Sequence, residues 1–387
     1  MKKVAFEISS NIAQYNHFLP LFFHCVESRK FDVKLYSDNE TNLKLLRDYV
    51  LEHFGKYSHF IDMVDFVALP PNRKSKLKYL VINYFPKFLL PLVRRIYGAS
   101  SYGNTRSQTE SFNDFYSNNM NFFSNFDVVM TTELKGGVVL EQYGVKLVWL
   151  LHGVISNHYP YSKDWTADLI VSPKLNFRNE LLTHTNANEN ISVYDKIYLK
   201  KNSLDLLDKK IKSDLFKNSN PTVIYNPHWD NRDGLSSYFV FFNQVIKFFV
   251  ENNNYNLIFA PHVNLDKFFD INIPQSFYEF DNIHIDTNSD RLTNGFYLQC
   301  ADLYLGDVSS QYFEMLLFNE VPAVFLVDSN IDSSLYPTYW KYGRVLNTMS
   351  DFVEDVFLNN PSTKAKVMHF SQMDDNIDNL IHAIEEL

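Results

Sequence analysis

Short apolar runs alternate with segments of helical period along most of the chain. Residues 4–8 read as a strand, 17–28 as a strongly apolar helix and 31–36 as a second strand. Leu43, Leu45, Leu46 and Val50 then fall at helical spacing over 42–53, before a strand-like run at 63–69. Further on, 126–130 and 146–151 read as strands around a short helix at 136–142 that stops near Gly144, and 167–171 and 191–194 as strands around a helix at 176–184. Beyond a charged, polar stretch at 200–220 the alternation resumes, with strands at 222–225, 256–260, 283–285, 303–305 and 323–327. Helices at 238–251 and 311–318 fall between them, and a terminal helix is expected at 374–387. The Phe239-Val240-Phe241-Phe242 and Phe248-Phe249 clusters read as the core-facing side of the 238–251 helix.

Strands that alternate with helices call for parallel sheets covered on both faces. The expected fold class is α/β, with two Rossmann-like, doubly wound domains. The first is expected over 1–210 with a basic and aromatic insertion around 70–108, and the second over 211–387, its terminal helix packing back on the first. Two such halves facing each other across a cleft is the GT-B architecture. A chain of 387 residues has length enough for both.

Composition narrows the function classes. A net charge of −9 argues against nucleic acid as a partner, because a duplex binder needs a basic face to displace counterions. The charge reverses locally, since no Asp or Glu lies between Phe66 and Thr109 while Arg73, Lys74, Lys76, Lys78, Lys87, Arg94, Arg95 and Arg106 do. Aromatic and aliphatic residues interleave with these cations, so 73–106 is expected either to touch the inner-membrane surface or to pack on the first domain as an insertion. Pro86 and Pro91 break any single long helix there. Cys25 and Cys300 each sit in apolar surroundings, which fits reduced, buried thiols better than a disulfide or a structural zinc site. The N-terminal run is interrupted by Glu7, Ser9, Ser10 and Asn11, unlike a signal peptide, and no apolar stretch reaches the ~20 residues of a membrane span. A cytoplasmic protein, peripheral on the cytoplasmic face of the inner membrane if 73–106 docks there, is the expectation.

The candidate chemistry lies where strands end. The strand Ala301-Asp302-Leu303-Tyr304-Leu305 runs into Gly306-Asp307-Val308-Ser309-Ser310 and out into a helix, offering backbone N–H groups and a positive dipole end to an anion. Asp and Ser are also ordinary N-cap residues, so this junction alone is ambiguous. Two further strands end in histidine, one at His152-Gly153 and one at Pro261-His262. The carboxyl ends of a parallel sheet line one crevice, so residues just past them converge. His17, His158 and His184 have no such setting and read as structural.

These stretches, in order, resemble the CDP-glycerol glycerophosphotransferases of teichoic-acid, capsule and O-antigen assembly. The resemblance is carried by Leu150-Leu151-His152-Gly153, by Val223-Ile224-Tyr225-Asn226-Pro227-His228-Trp229-Asp230, and by Leu257-Ile258-Phe259-Ala260-Pro261-His262. It continues through Ala301 to Ser310 with Glu314 and the strand Val321-Pro322-Ala323-Val324-Phe325. The chain departs from that family where His228 replaces a threonine, where an arginine is displaced to Arg232, and where Asp307-Val308 replaces Asp-Tyr.

The resemblance implies transfer of a polyol phosphate from a CDP-linked polyol donor to a glycan or lipid-linked acceptor, without cofactor or metal. His152 would then be the base for the acceptor hydroxyl, and His262 would contact the donor diphosphate and stabilise the departing CMP. Ser309 and Ser310 would donate to the same phosphates, Asp307 would orient a neighbour or a ribose hydroxyl, and His228 and Arg232 would add donor contacts. Because fold does not fix chemistry, a GT-B nucleotide-sugar glycosyltransferase, a sugar-nucleotide epimerase and a non-catalytic binding or scaffold protein of polysaccharide assembly stand as alternatives.

Overall fold

The computed structural model describes residues 1–8, 14–70, 113–132, 137–150, 167–172, 192–195 and 215–387, apart from 230, 232–233, 270, 294, 310, 317–320, 333–339, 341–342, 350–351 and 353–376. The chain forms two compact units. The first holds 1–153, 158–208 and the C-terminal 371–387, and the second holds 154–157 and 209–370.

The N-terminal unit is built on seven strands: β1 (Lys2–Glu7), β2 (Phe31–Ser37), β3 (Asp65–Ala68), β4 (Val128–Thr131), β5 (Lys146–Leu150), β6 (Leu169–Ser172) and β7 (Ser192–Asp195). They lie in the order β3-β2-β1-β4-β5-β6-β7, and every pairing is parallel. Val4, Ala5 and Phe6 are buried in succession rather than alternately, as a strand covered on both faces requires. Helix α1 (Tyr15–Ser28) follows β1 and α2 (Glu40–His53) follows β2. Asn39 starts α2 by accepting the Thr41 amide at 2.9 Å. Short helices α3 (Met120–Phe123) and α4 (Gly137–Glu141) precede β4 and β5.

The C-terminal unit repeats the plan with β8 (Thr222–Asn226), β9 (Asn256–Phe259), β10 (Ile283–Ile285), β11 (Leu303–Gly306), β12 (Ala323–Leu326) and β13 (Arg344–Leu346). Their order is β10-β9-β8-β11-β12-β13, again wholly parallel. Both sheets are therefore doubly wound, with a switch point beside the first strand of each, β1/β4 and β8/β11. Between β8 and β9 runs α5 (Tyr238–Glu251), which buries Phe241, Phe242, Val245, Ile246 and Phe249 along one helical face. They meet Val223, Leu257 and Leu305 in one core, each large side chain contributing about 1.5–3 kcal/mol of burial. Shorter helices α6 (Asn264–Phe268), α7 (Phe296–Cys300) and α8 (Gln311–Leu316) complete the layers.

Helix α9 (Ile377–Glu386) belongs to the N-terminal unit. It buries Leu380, Ile381 and Ile384, and Lys2 Nζ donates to the carbonyls of Ile384 and Glu385 near its C-terminus. Lys30 Nζ pairs with Glu385 at 3.0 Å.

One device recurs at the amino ends of the strands. Asp127, Asp168 and Asp302 each precede a strand and accept the amide of a neighbouring strand's residue, Lys3 at 2.7 Å, Leu147 at 2.8 Å and Thr222 at 2.8 Å. Among the described residues no helix is long and apolar enough to cross a membrane. The basic segment 73–106, expected to touch a membrane surface, lies outside the described residues.

Candidate functional site

At the C-terminal switch point three strand ends are tied together by one side chain. Asn226, the last residue of β8, donates from Nδ2 to the Ala260 carbonyl beyond β9 at 2.6 Å and accepts at Oδ1 from Tyr304 Oη of β11 at 3.2 Å. The His262 amide donates to the Pro227 carbonyl at 3.0 Å, so the loops leaving β8 and β9 run bonded side by side. Gly306 ends β11 where a Cβ would stand 2.6–2.8 Å from the Tyr304 ring, a separation only glycine avoids.

Asp307 is fully buried and organises the junction. Its carboxylate accepts the His228 amide at 2.9 Å, the Ser237 amide at 2.6 Å, the Ser237 hydroxyl at 2.8 Å and the Val308 amide. Burial pushes this carboxyl above its ordinary value, while His228 and the Ser237 and Val308 bonds pull the other way. Ser237 stands at the N-cap of α5 yet caps no amide; its hydroxyl is spent on Asp307 and accepts from Tyr225 Oη at 3.2 Å. A carboxylate thus faces the positive end of a 14-residue helix, which offsets its loss of water. Trp340 Nε1 donates to the Asp307 carbonyl at 2.6 Å, and Ser236 Oγ donates to the His228 carbonyl.

Above this base sit two imidazoles. The His228 and His262 rings are 5.1 Å apart between centroids and inclined at 63°, with Trp229 at 5.9 Å from the first and 6.3 Å from the second. Both histidines are partly buried. Burial, then the neighbouring His228, hold His262 well below the usual imidazole value, so it is neutral at neutral pH. Its Nδ1 accepts the Asn264 amide at 3.2 Å, which puts the ring proton on Nε2 and makes that atom a neutral donor.

Ser309 is 1% exposed, and its Oγ accepts the Gln311 amide at 3.3 Å where α8 begins. At the end of β10, Asp286 accepts from the Asn288 and Ser289 amides, the Ser289 hydroxyl and, at 2.5 Å, Tyr297 Oη. Burial opposes its charge, but these bonds outweigh it and hold the carboxyl below the usual range. Among the described residues no group of three or more His, Cys, Asp and Glu side chains is placed to hold a metal ion.

The structure therefore brings together His228, His262, Asp307 and Ser309 around one switch point. His152, Arg232 and Ser310 lie outside the described residues. Ser237 and Trp340 join the site without having been singled out, and Asn226 and Trp229, quoted only within the motif at 223–230, join it without having been assigned a role. Asn226 and Trp229 carried a signal, the first as a polar residue closing the apolar strand Val223-Ile224-Tyr225 and the second as the neighbour of His228 in that motif.

No protein-family model matches the chain, and no curated protein matches it either. Solved structures do. The UDP-N-acetylglucosamine 2-epimerase of Rickettsia bellii is similar with a TM-score of 0.59 at 11% identity, over 100% of this chain and 96% of that one. The S. aureus MnaA–UDP co-structure gives 0.56 at 14% identity over 100% and 96%. The UDP-GlcNAc 2-epimerase of Methanocaldococcus jannaschii, in complex with UDP-GlcNAc and UDP, gives 0.55 at 13% identity over 99% and 100%. At such identity the likeness establishes the fold, a GT-B-like pair of Rossmann-like domains.

The likeness also corrects the resemblance drawn from the sequence. The full-length structural neighbours include several UDP-GlcNAc 2-epimerases, with UDP or UDP-GlcNAc bound in some, and Anabaena Alr3699/HepE in complex with UDP and glucose, rather than CDP-glycerol glycerophosphotransferases. The expected CDP-linked polyol donor, the transfer to a glycan or lipid-linked acceptor, and the place in teichoic-acid, capsule or O-antigen assembly are overturned with it. The physical reason is local. The motifs that carry His152, His228, His262 and Asp307 follow the carboxyl ends of β5, β8, β9 and β11, the position at which open parallel sheets of many chemistries take their ligands.

Proposed function

We propose that this protein is an enzyme acting on a uridine-diphosphate sugar, of the sugar-nucleotide epimerase class, with the nucleotide diphosphate seated at the C-terminal switch point. The observation that carries the reading is the His228–His262 pair held over β8, β9 and β11 by the buried Asp307 and Asn226. The neutral Nε2–H of His262 supplies a hydrogen-bond donor that costs no proton at neutral pH, and the strand end at Gly306 lies at the β8/β11 switch point, where open parallel sheets take their ligands. His228, with its backbone fixed by Asp307, presents the second imidazole to the same oxygens. The buried Asp307 carboxylate contacts protein donors only in this scheme, which keeps its charge off the phosphates.

The epimerase reading draws on the structural neighbours, two of which are UDP-GlcNAc 2-epimerases with UDP-GlcNAc bound. A thermal-shift series with UDP, UDP-GlcNAc, CDP and CMP tests the nucleotide. Ligand at a hundredfold excess over Kd adds about 2.7 kcal/mol of apparent stability. UDP and UDP-GlcNAc are expected to shift the transition and CDP to do so less; a CDP shift larger than that of UDP refutes the assignment. Proton NMR of UDP-GlcNAc incubated with the protein then tests the reaction, since an epimerase must produce a second anomeric signal with UDP still attached or released alongside the sugar product.

A further inference from the structure

The connection from β10 to α7 leaves the C-terminal sheet on the side where β8, β9 and β11 also end. It runs from Ile285 to Phe296, longer than the ~2–6 residues usual for such joints, and long connections on that side of a sheet are where function collects. Yet it is fastened throughout. His284, in β10, and Asp286, just past it, are two positions apart and reach one atom, Tyr297 Oη in α7. Tyr297 is 2% exposed, donates to Asp286 at 2.5 Å and lies 3.0 Å from His284 Nε2. The phenol's one proton is committed to the carboxylate, so His284 Nε2–H donates to the same oxygen.

The Asp286 carboxylate also takes the Asn288 and Ser289 amides and the Ser289 hydroxyl, which sets the 3-10 turn Asp290–Leu292 that follows. Within the loop the Arg291 guanidinium lies 4.5 Å from the centre of the Phe296 ring. Gln311 then ties the middle of the loop to the switch point. Its Nε2 donates to the Leu292 carbonyl at 3.1 Å, while its amide donates to Ser309 Oγ at 3.3 Å. Packing alone asks for none of these bonds, since Leu292 and Tyr297 could be buried by apolar contacts. Directional bonds in series carry position: if the phenol lets go, Leu292 leaves Gln311 and Ser309 loses a fixed neighbour.

We propose that Tyr297 is a positioning residue for the C-terminal switch point, its hydroxyl clasping the β10–α7 loop so that Leu292 holds Gln311 and Gln311 holds Ser309 in place before a ligand arrives. That the ligand is a uridine nucleotide rests on the reading above; the clasp does not. Two measurements on the full chain test it, and the first needs no ligand. In hydrogen exchange read by mass spectrometry, Tyr297→Phe is expected to speed exchange about tenfold both across 287–296 and in the peptide spanning 309–316, with β8 and β9 unchanged. Acceleration confined to 287–296 overturns the inference, because the loop would then open without moving the switch point. The second is UDP affinity by calorimetry, under conditions where urea unfolding shows every variant folded. Tyr297→Phe and Gln311→Met, which cuts the chain at its other joint, are each expected to bind UDP about five- to tenfold more weakly, and the double variant no more weakly than the worse of the two. A merely structural tyrosine would lower the unfolding midpoint and leave UDP affinity alone. Unchanged affinity in Tyr297→Phe, or losses that multiply in the double variant, overturns the inference. Should Tyr297→Phe fail to fold, Asp286→Asn, which leaves the phenol an acceptor without its charge, replaces it and is expected to give a severalfold effect of the same kind. If wild type binds no UDP, the nucleotide reading fails and the exchange measurement decides the clasp.

Discussion

Asp307→Asn separates an organising carboxylate from a merely buried one. The native group takes four donors, the amides of His228, Ser237 and Val308 and the Ser237 hydroxyl. An asparagine keeps one acceptor oxygen and turns the other into an NH2. In its better orientation the NH2 lies where Oδ2 was, and the Ser237 hydroxyl rotates to accept it, but the Ser237 amide, at 2.6 Å in the native structure, loses its partner. One buried amide left unpaired costs about 1–3 kcal/mol. The bonds to His228 and Val308 also lose their charge assistance, about 0.5–1.5 kcal/mol together, partly offset because no charge is then buried. The expected net loss is about 2–4 kcal/mol. Ser237→Ala, which removes one hydroxyl and strands the Tyr225 phenol, should lose about 1–2 kcal/mol. Urea unfolding followed by the fluorescence of Trp229 and Trp340, both in the C-terminal unit, measures each. UDP affinity is expected to fall in Asp307→Asn as the bond that anchors the His228 amide loses its charge assistance. An Asn variant as stable as wild type, or more stable than Ser237→Ala, refutes the reasoning.

Gly306→Ala drives a methyl into the buried Tyr304 ring, with the separations of 2.6–2.8 Å found there, and should cost about 1–3 kcal/mol in the same unfolding experiment; a neutral result shows that the ring can move. His262 has its folded value below the 6.5 of the exposed ring, so between the two the unfolded chain binds more protons and stability rises with pH. The slope there is at most about 1.4 kcal/mol per pH unit, fades above pH ~7, and should be missing from the difference curve's counterpart, His262→Gln; parallel curves for the two proteins would show that the ring titrates normally. Ile384→Ala, at a side chain 0% exposed in α9, should cost about 2–5 kcal/mol in the N-terminal unit's transition, and a loss under 1 kcal/mol would mean the helix contributes little to that unit.

Where a run was both apolar and covered, the sequence and the structure agree to within a residue or two. The strand expected at 222–225 is β8 over Thr222–Asn226, that at 256–260 is β9 over Asn256–Phe259, and the helix at 238–251 has those bounds. Such elements are legible because their burial is written in one pattern, continuous for a strand between two helix layers and 3.6-periodic for a helix. Elements set by context escaped. The strand expected at 63–69 is preceded by a 3-10 helix over Gly55–Met63 and shortens to Asp65–Ala68, with Met63 exposed. Strand β13 is three residues long and led by Arg344, too short to show a period, and it exists because β12 offers it a parallel edge.

The site divides along a similar line. That strands end in His228, His262 and Asp307 is readable, because parallel sheets gather their carboxyl ends whatever the spacing in sequence. That Ser237 serves Asp307 rather than its own helix is not, since the two are 70 positions apart and the local signal is an ordinary N-cap. The same limit explains the mistaken donor. CDP and UDP carry an identical ribose diphosphate and differ along one edge of the pyrimidine, where cytosine has an amino group at C4 and an acceptor at N3 and uracil a carbonyl oxygen at C4 and an N3–H. Residues that seat the diphosphate therefore cannot distinguish them, and none of the residues that suggested CDP-glycerol was assigned to the base. Discrimination must come from a donor or acceptor facing that C4–N3 edge, at the ~1–3 kcal/mol that each hydrogen bond mismatched in a dry site costs. A CDP-to-UDP affinity ratio near one would mean that no such group faces the base, and that the choice between donors is made by the part of the substrate beyond the diphosphate.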